Sequence, residues 1–157
     1  MGYGTIQSVE EVENLDFVPI APMDGAGGGR LGLGQMINAL GGWQRMDGYR
    51  VATDEHTFLV LIDNGQSCCE SWGYIASDDD FQKVIGRELL AVNITDVSRM
   101  KHDVEELTYI DEGGVQFVDF VTDRGVLQLA VYNAHNGYYG HGILVAKDTE
   151  LLLNETL

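Results

Sequence analysis

Val115-Gln-Phe-Val-Asp-Phe-Val-Thr122, then Asp123-Arg-Gly125, then Val126-Leu-Gln-Leu-Ala-Val-Tyr132 is the stretch that decides the fold. Two runs rich in β-branched and aromatic residues flank a short polar segment, which is the pattern of a β-hairpin. Successive side chains of a strand point to opposite faces, so Phe117, Asp119 and Val121 share one face while Val118 and Phe120 share the other. Asp123-Arg-Gly125 reads as a three-residue loop with glycine where left-handed geometry is needed.

Upstream, Tyr49–Thr53 and Thr57–Asp63 are two further β-rich runs joined by the polar Asp54-Glu-His56, and Asn64-Gly65 signals a turn after the second. Asp78-Asp-Asp80 precedes Phe81–Ile85, which reads as a short helix with acidic residues at its positive N-terminus and Gly86 at its end. A strand follows from Glu88 to Asp96, and Ile143–Lys147 is the last one expected. Short connections favour antiparallel pairing. The expected fold is therefore an α+β domain over residues 48–147: a single curved, mainly antiparallel sheet with one or two short helices. Residues 1–47 read as an N-terminal arm, because both prolines and the glycine-rich run Gly25–Gly34 lie there; Leu33–Leu40 could form a short helix and Trp43 an anchor. Residues 148–157 read as an acidic, leucine-containing tail.

The chain has 157 residues, with 9 basic and 25 acidic side chains and a formal charge of −16. A field of that sign disfavours duplex nucleic acid and anionic membranes, whose phosphates need clustered Lys and Arg. No apolar run approaches the roughly 20 residues of a membrane span, and the acidic start is unlike a secretory signal, so a cytoplasmic protein is expected. The two cysteines, Cys68 and Cys69, are adjacent and make no disulfide framework.

Three groups of residues could carry chemistry. Cys68-Cys69-Glu70 lies beside Trp72 and Tyr74, yet a nucleophilic cysteine needs a base, and nothing in the spacing brings His56, His102, His135 or His141 to it. Zinc sites use a wider cysteine spacing, so no metal and no cofactor are expected. Tyr132-Asn-Ala-His-Asn-Gly-Tyr-Tyr-Gly-His141 is rich in aromatic, amide and imidazole groups. Such groups suit a nucleotide: flat faces for a base and paired donors and acceptors for its edges or ribose. Asn136-Gly137 is equally what a turn between strands requires, with the tyrosines covering a sheet edge. Among the scarce cations, Arg30, Arg45, Arg50, Arg87, Arg99, Arg124, Lys83, Lys101 and Lys147, arginine is the better phosphate ligand. Arg87 just past the short helix, Arg99 and Lys101 in the polar stretch and Arg124 at the hairpin turn are the candidates, none singled out strongly over the others.

The pairing of Cys68-Cys69-Glu70 with Asn136-Gly-Tyr-Tyr139 resembles the first-described Thoeris anti-defence sponges of phages, as do Asp78–Gly86 and Glu88-Leu-Leu90 between them. The likeness spans residues 48–147. It implies a non-enzymatic protein that sequesters cyclic ADP-ribose isomers and, in some members, cyclic oligonucleotides, with pockets between the protomers of a dimer or hexamer. Where the resemblance leads one to expect a phosphate-binding arginine, this chain reads Gln128-Leu-Ala-Val-Tyr132, and the 47-residue arm is additional.

The expected function is thus a cytoplasmic homo-oligomer that binds a cyclic nucleotide signal without altering it. Tyr138 and Tyr139 would stack the base, Asn133, His135, Asn136 and His141 would hydrogen-bond it, and Arg87, Arg99 or Arg124 would meet phosphate. Two alternatives are a Cys/His hydrolase using Cys68 or Cys69 with His135 or His141, and a phage protein-interaction module with an aromatic loop.

Overall fold

The computed structural model describes residues 2–16, 45–65, 71–99, 112–135 and 140–157. Among these described residues nine strands run in chain order: β1 Ile6–Asp16, β2 Arg45–Thr53, β3 Thr57–Asp63, β4 Ser71–Ala76, β5 Leu89–Thr95, β6 Glu112–Thr122, β7 Gly125–His135, β8 Gly142–Lys147 and β9 Glu150–Thr156. They form two antiparallel sheets, ordered β1-β2-β3-β8-β9 and β4-β7-β6-β5.

The core lies between them. Phe58, Val60 and Ile62 of β3 and Ile143 and Val145 of β8 face Val118 and Phe120 of β6 and Leu127, Leu129 and Val131 of β7. Phe58 meets Phe120 edge to face at 5.8 Å, and each such fully buried side chain contributes about 1.5–3 kcal/mol. The expected single sheet is therefore corrected to two, and α+β to mostly β. The physical reason is in the alternation: both the β3-β8 pair and the β6-β7 hairpin carry one strongly apolar face, and two such faces bury each other. Their opposite faces are apolar as well in places. Val12, Met46, Leu59, Leu61, Leu144 and Ala146 make a second buried cluster on the far side of the first sheet.

Helix is confined, among the described residues, to one 3-10 turn at Phe81–Lys83. Its start is as the sequence predicts, with Asp80 accepting a hydrogen bond from the Gln82 amide at 3.2 Å; its end comes earlier than Gly86, at Val84, whose amide donates to the Phe81 carbonyl.

Both ends of the chain depart from the reading. Residues 6–16, expected in an arm, are β1, paired with β2 from Ile6↔Thr53 to Asp16↔Arg45. Val9 reaches the core while Val12 and Leu15 reach the other cluster, and register shifts at Ile6/Ser8 and Val12/Leu15 break the period of two that would have revealed a strand. Residues 150–156, expected in a tail, are β9 on the edge beside β8. The proposed helix at 33–40 and the rest of the arm, residues 17–44, lie outside the described residues.

The β6-β7 hairpin is tighter than expected. Thr122 pairs with Gly125, leaving Asp123-Arg124 as a two-residue turn, and Gly125 takes φ +134°. One glycine is dictated by a neighbour: at Gly48, with φ +152°, a Cβ would run into the Val60 carbonyl oxygen of β3. No helix among the described residues is long and apolar enough to cross a membrane.

Candidate functional site

β7 runs Asn133 into one end of the sandwich. It follows the inward series Leu127, Leu129, Val131, so the alternation that builds the core also buries Asn133. The chain leaves at His135 and returns at His141, one residue before β8. Residues 136–139, with the candidates Asn136, Tyr138 and Tyr139, link these two points and lie outside the described residues, as does the His135 side chain.

Asn133 and His141 are drawn together by one short segment. The Asn133 side chain donates to the Leu157 carbonyl at 2.9 Å, and His141 and Leu157 exchange two backbone hydrogen bonds of 2.9 Å. The His141 ring nitrogen Nδ1 lies 2.6 Å from the Asp63 carbonyl, so it carries the proton and donates. Trp72 of β4 stacks on that imidazole, with centroids 5.4 Å apart and planes 27° from parallel. Trp72 was legible as a large aromatic near the cysteines, but no local signal ties it to a histidine 69 positions later.

Tyrosines line the flank of this end. Tyr132 covers Gly73 on the outer face of the second sheet, and a Cβ at Gly73 would sit 2.6 Å from its hydroxyl. Tyr49 meets Tyr74 edge to face at 5.2 Å. Burial pushes the Tyr49 phenol well above its ordinary value, helped by Glu11, and burial raises Tyr132 as well. These hydroxyls stay protonated at neutral pH and are donors, not bases.

The three selected arginines do not join this group within one copy of the chain. Arg124 sits in the hairpin turn nine residues before Asn133, a separation of about 30 Å along an extended strand. Arg87 is near that same far end: its carbonyl accepts from the Ile6 amide at 2.8 Å, and Leu89 beside it pairs with Thr122. Arg99 lies on the outer face of the second sheet, where its Nε donates to Asp119 at 2.9 Å and its amide to the Gln128 side chain at 2.7 Å. Gln128 is five residues from Asn133, about 17 Å, and on the opposite face.

Arg45, which the sequence offered without distinction, is better placed. Its carbonyl accepts from the Asn64 amide at 3.0 Å, so it starts β2 beside Asp63, the residue that His141 contacts. Its side chain is exposed. Cys68 and Cys69 fall outside the described residues, and among those described no three His, Cys, Asp or Glu side chains are grouped to hold a metal.

The arrangement is a rigid base. Two polar side chains are fixed by main-chain carbonyls, an indole is laid over one of them, and a cation stands at the rim. No curated protein and no solved structure matches the chain. Residues 5–145 match a family described as "Domain of unknown function (DUF7448)". That match takes in every described strand except β9 and the last residues of β8, and the chain belongs to the DUF7448 family.

Proposed function

We propose that the protein binds a cyclic nucleotide signal without transforming it, at the end of the sandwich where Trp72, Asn133 and His141 anchor the strand ends joined by residues 136–139. The observation that carries this reading is the Trp72–His141 stack locked to the Asp63 carbonyl. The groups that fix the chain on either side of residues 136–139 are already hydrogen-bonded in the free protein, so they add no ordering cost when a ligand binds.

The burial of Asn133 and His141 reassigns their roles: both hydrogen-bond main-chain carbonyls, so they position the linker rather than touch the guest. Contact with the base and ribose falls to Asn136, Tyr138 and Tyr139, and Arg45 replaces Arg87, Arg99 and Arg124 as the phosphate partner. One guanidinium on a chain of charge −16 gives local attraction against a repulsive background, which suits a compact ligand with few phosphates. The resemblance of Asn136-Gly-Tyr-Tyr139 to the Thoeris anti-defence sponges supports a cyclic ADP-ribose isomer as the first ligand to try, and sequestration in the bacterial cytoplasm as the outcome.

A thermal-shift titration with such an isomer tests the reading. At a hundred times Kd the complex gains about 2.7 kcal/mol over the free protein, and heating releases the nucleotide intact. No shift at millimolar nucleotide, or release of cleaved products, contradicts it.

A further inference from the structure

Asn64-Gly65, legible as a turn, extends the β2-β3 pairing beyond Met46↔Asp63: the Asn64 main-chain amide donates to the Arg45 carbonyl at 3.0 Å. The Asn64 side chain acts on β1 instead. Between Val12↔Gly48 and Leu15↔Met46 the register sets Glu13 and Asn14 against Asp47 alone, a bulge in which Asn14 takes φ +49°. The Asp47 carboxylate serves that bulge by accepting from the Asn14 main-chain amide at 2.8 Å. Asn64 Nδ2 donates to the same Asp47 oxygen at 2.9 Å and to the Asn14 side-chain oxygen at 2.7 Å. An ionised carboxylate only accepts, so the nitrogen of the Asn64 amide, and not its oxygen, has to face Asp47.

Asparagine followed by glycine is also a pair prone to ring closure, because a residue without Cβ leaves its main-chain nitrogen unhindered. Gly65 is exposed. The fold does not demand glycine there: its φ is not in the left-handed range, and a Cβ would meet the Asp63 carboxylate at 3.4 Å, an ordinary contact. The closed corner resists the reaction. The Gly65 amide proton is engaged by Asp63 at 3.0 Å, and the nitrogen that would leave is engaged by Asp47 and Asn14.

We propose that Asn64 is a site of spontaneous deamidation, that the reaction proceeds when the Asn14–Asp47–Asn64 corner opens, and that its product cannot close the corner again. The Gly65 main-chain nitrogen gives its proton to solvent and bonds to Asn64 Cγ; the Cγ–Nδ2 bond breaks, and the nitrogen leaves as ammonia after taking a proton from solvent. Water then opens the cyclic imide at either carbonyl, giving aspartate or isoaspartate. Both products replace the donor with a carboxylate in a place that lies 2.9 Å from an Asp47 oxygen. Asn14 can turn its own amide toward the new charge, but ionised Asp47 has no proton to offer, and like charges at that distance repel. The bulge of β1 thereby loses the side chain that joins it to the end of β3. Opening of a strand end is a local event of low cost compared with global unfolding, which sets the pace of the reaction.

Incubation at mildly alkaline pH, followed by peptide mapping, tests the proposal; the map separates Asn64 from Asn136-Gly137, the other Asn-Gly pair of the chain. A gain of about 1 Da at Asn64 is expected. It accumulates several-fold more slowly than in a synthetic peptide of residues 60–67, and several-fold faster in Asp47→Ala than in the unsubstituted protein. Gly65→Ala, which the fold accommodates, slows it strongly. The deamidated form, separated by its added negative charge, melts about 4–8 °C below the parent, and Asn64→Asp does the same. Three results overturn the proposal: equal rates in folded protein and peptide, an intact Asn64 in both the parent and Asp47→Ala after the peptide has reacted completely, or a deamidated form with the Tm of the parent. Should either substituted protein fail to fold, the aged parent supplies both the rate and the Tm. No nucleotide enters the experiment, so its outcome is independent of the functional reading.

Discussion

Trp72 and His141 come from different sheets and lie face to face at 5.4 Å, with the imidazole Nδ1 fixed 2.6 Å from the Asp63 carbonyl. This contact closes one end of the sandwich by joining β4 to the start of β8. His141→Ala removes the stacked, buried ring and leaves the partly buried Asp63 carbonyl without its donor, a loss of about 3 kcal/mol in urea unfolding. A loss under about 1 kcal/mol would show that the end is held by something else.

On the outer face of the second sheet, Gln128 satisfies three groups at once: it accepts from the Arg99 amide and donates to the Val97 carbonyl and to Asp119. Gln128→Leu keeps the volume but removes all three hydrogen bonds, leaving Asp119 with Arg99 alone, so it is expected to cost about 2–4 kcal/mol. Amide hydrogen exchange at Arg99 should accelerate more than at Val118 in the core. Equal acceleration at both would mean that the network does not hold residues 97–99.

Asp148, at φ +54°, lies 2.6 Å from His56 Nδ1 and accepts from the Thr57 amide at 2.8 Å. Partial desolvation acts to raise its carboxyl, but the hydrogen bonds from His56 and Thr57, and the His56 and Lys147 charges, outweigh it and hold the group below its ordinary value. A carboxyl depressed in the folded state stabilises the protein above the unfolded value near 3.9, and that contribution disappears as pH falls through the folded value. Asp148→Asn, which tolerates the same φ, should therefore show a shallower decline of Tm between about pH 5 and pH 3 than the unsubstituted protein. Parallel declines would remove Asp148 from the acid sensitivity.

Arg45 and Arg124 separate the structural reading from the sequence reading of the phosphate partner. Arg45→Ala is expected to weaken nucleotide binding about tenfold, in the range of a lost charge-assisted hydrogen bond, while Arg124→Ala leaves Kd within about twofold. The reverse order, measured by calorimetry, would return the phosphate to the hairpin end.

The strands with a clean period of two were legible: β3 occupies Thr57–Asp63 as read, and β6, β7 and β8 extend the expected runs by a few residues. Illegible were β1 and β9, where bulges disturb the period and glutamates on an exposed edge look like a solvated tail. Sheet membership was hidden too, since alternation gives the buried face of a strand but not its neighbour, and β3 pairs with the distant β8. Of the candidate site, composition alone singles out the Asn133-to-His141 stretch. The partners that fix it, Trp72, Asp63 and Leu157, come from remote positions that no local spacing reveals.

Residues 136–139, between the strand ends held by Trp72, Asn133 and His141, are the proposed receptor for a cyclic nucleotide. Calorimetric titration of a cyclic ADP-ribose isomer into the unsubstituted protein and into Asn136→Ala and Tyr139→Ala tests it most directly. Saturable binding with recovery of unaltered ligand is expected, lost in both variants at unchanged Tm. Binding that persists in both variants, or no heat in any of the three, would contradict it.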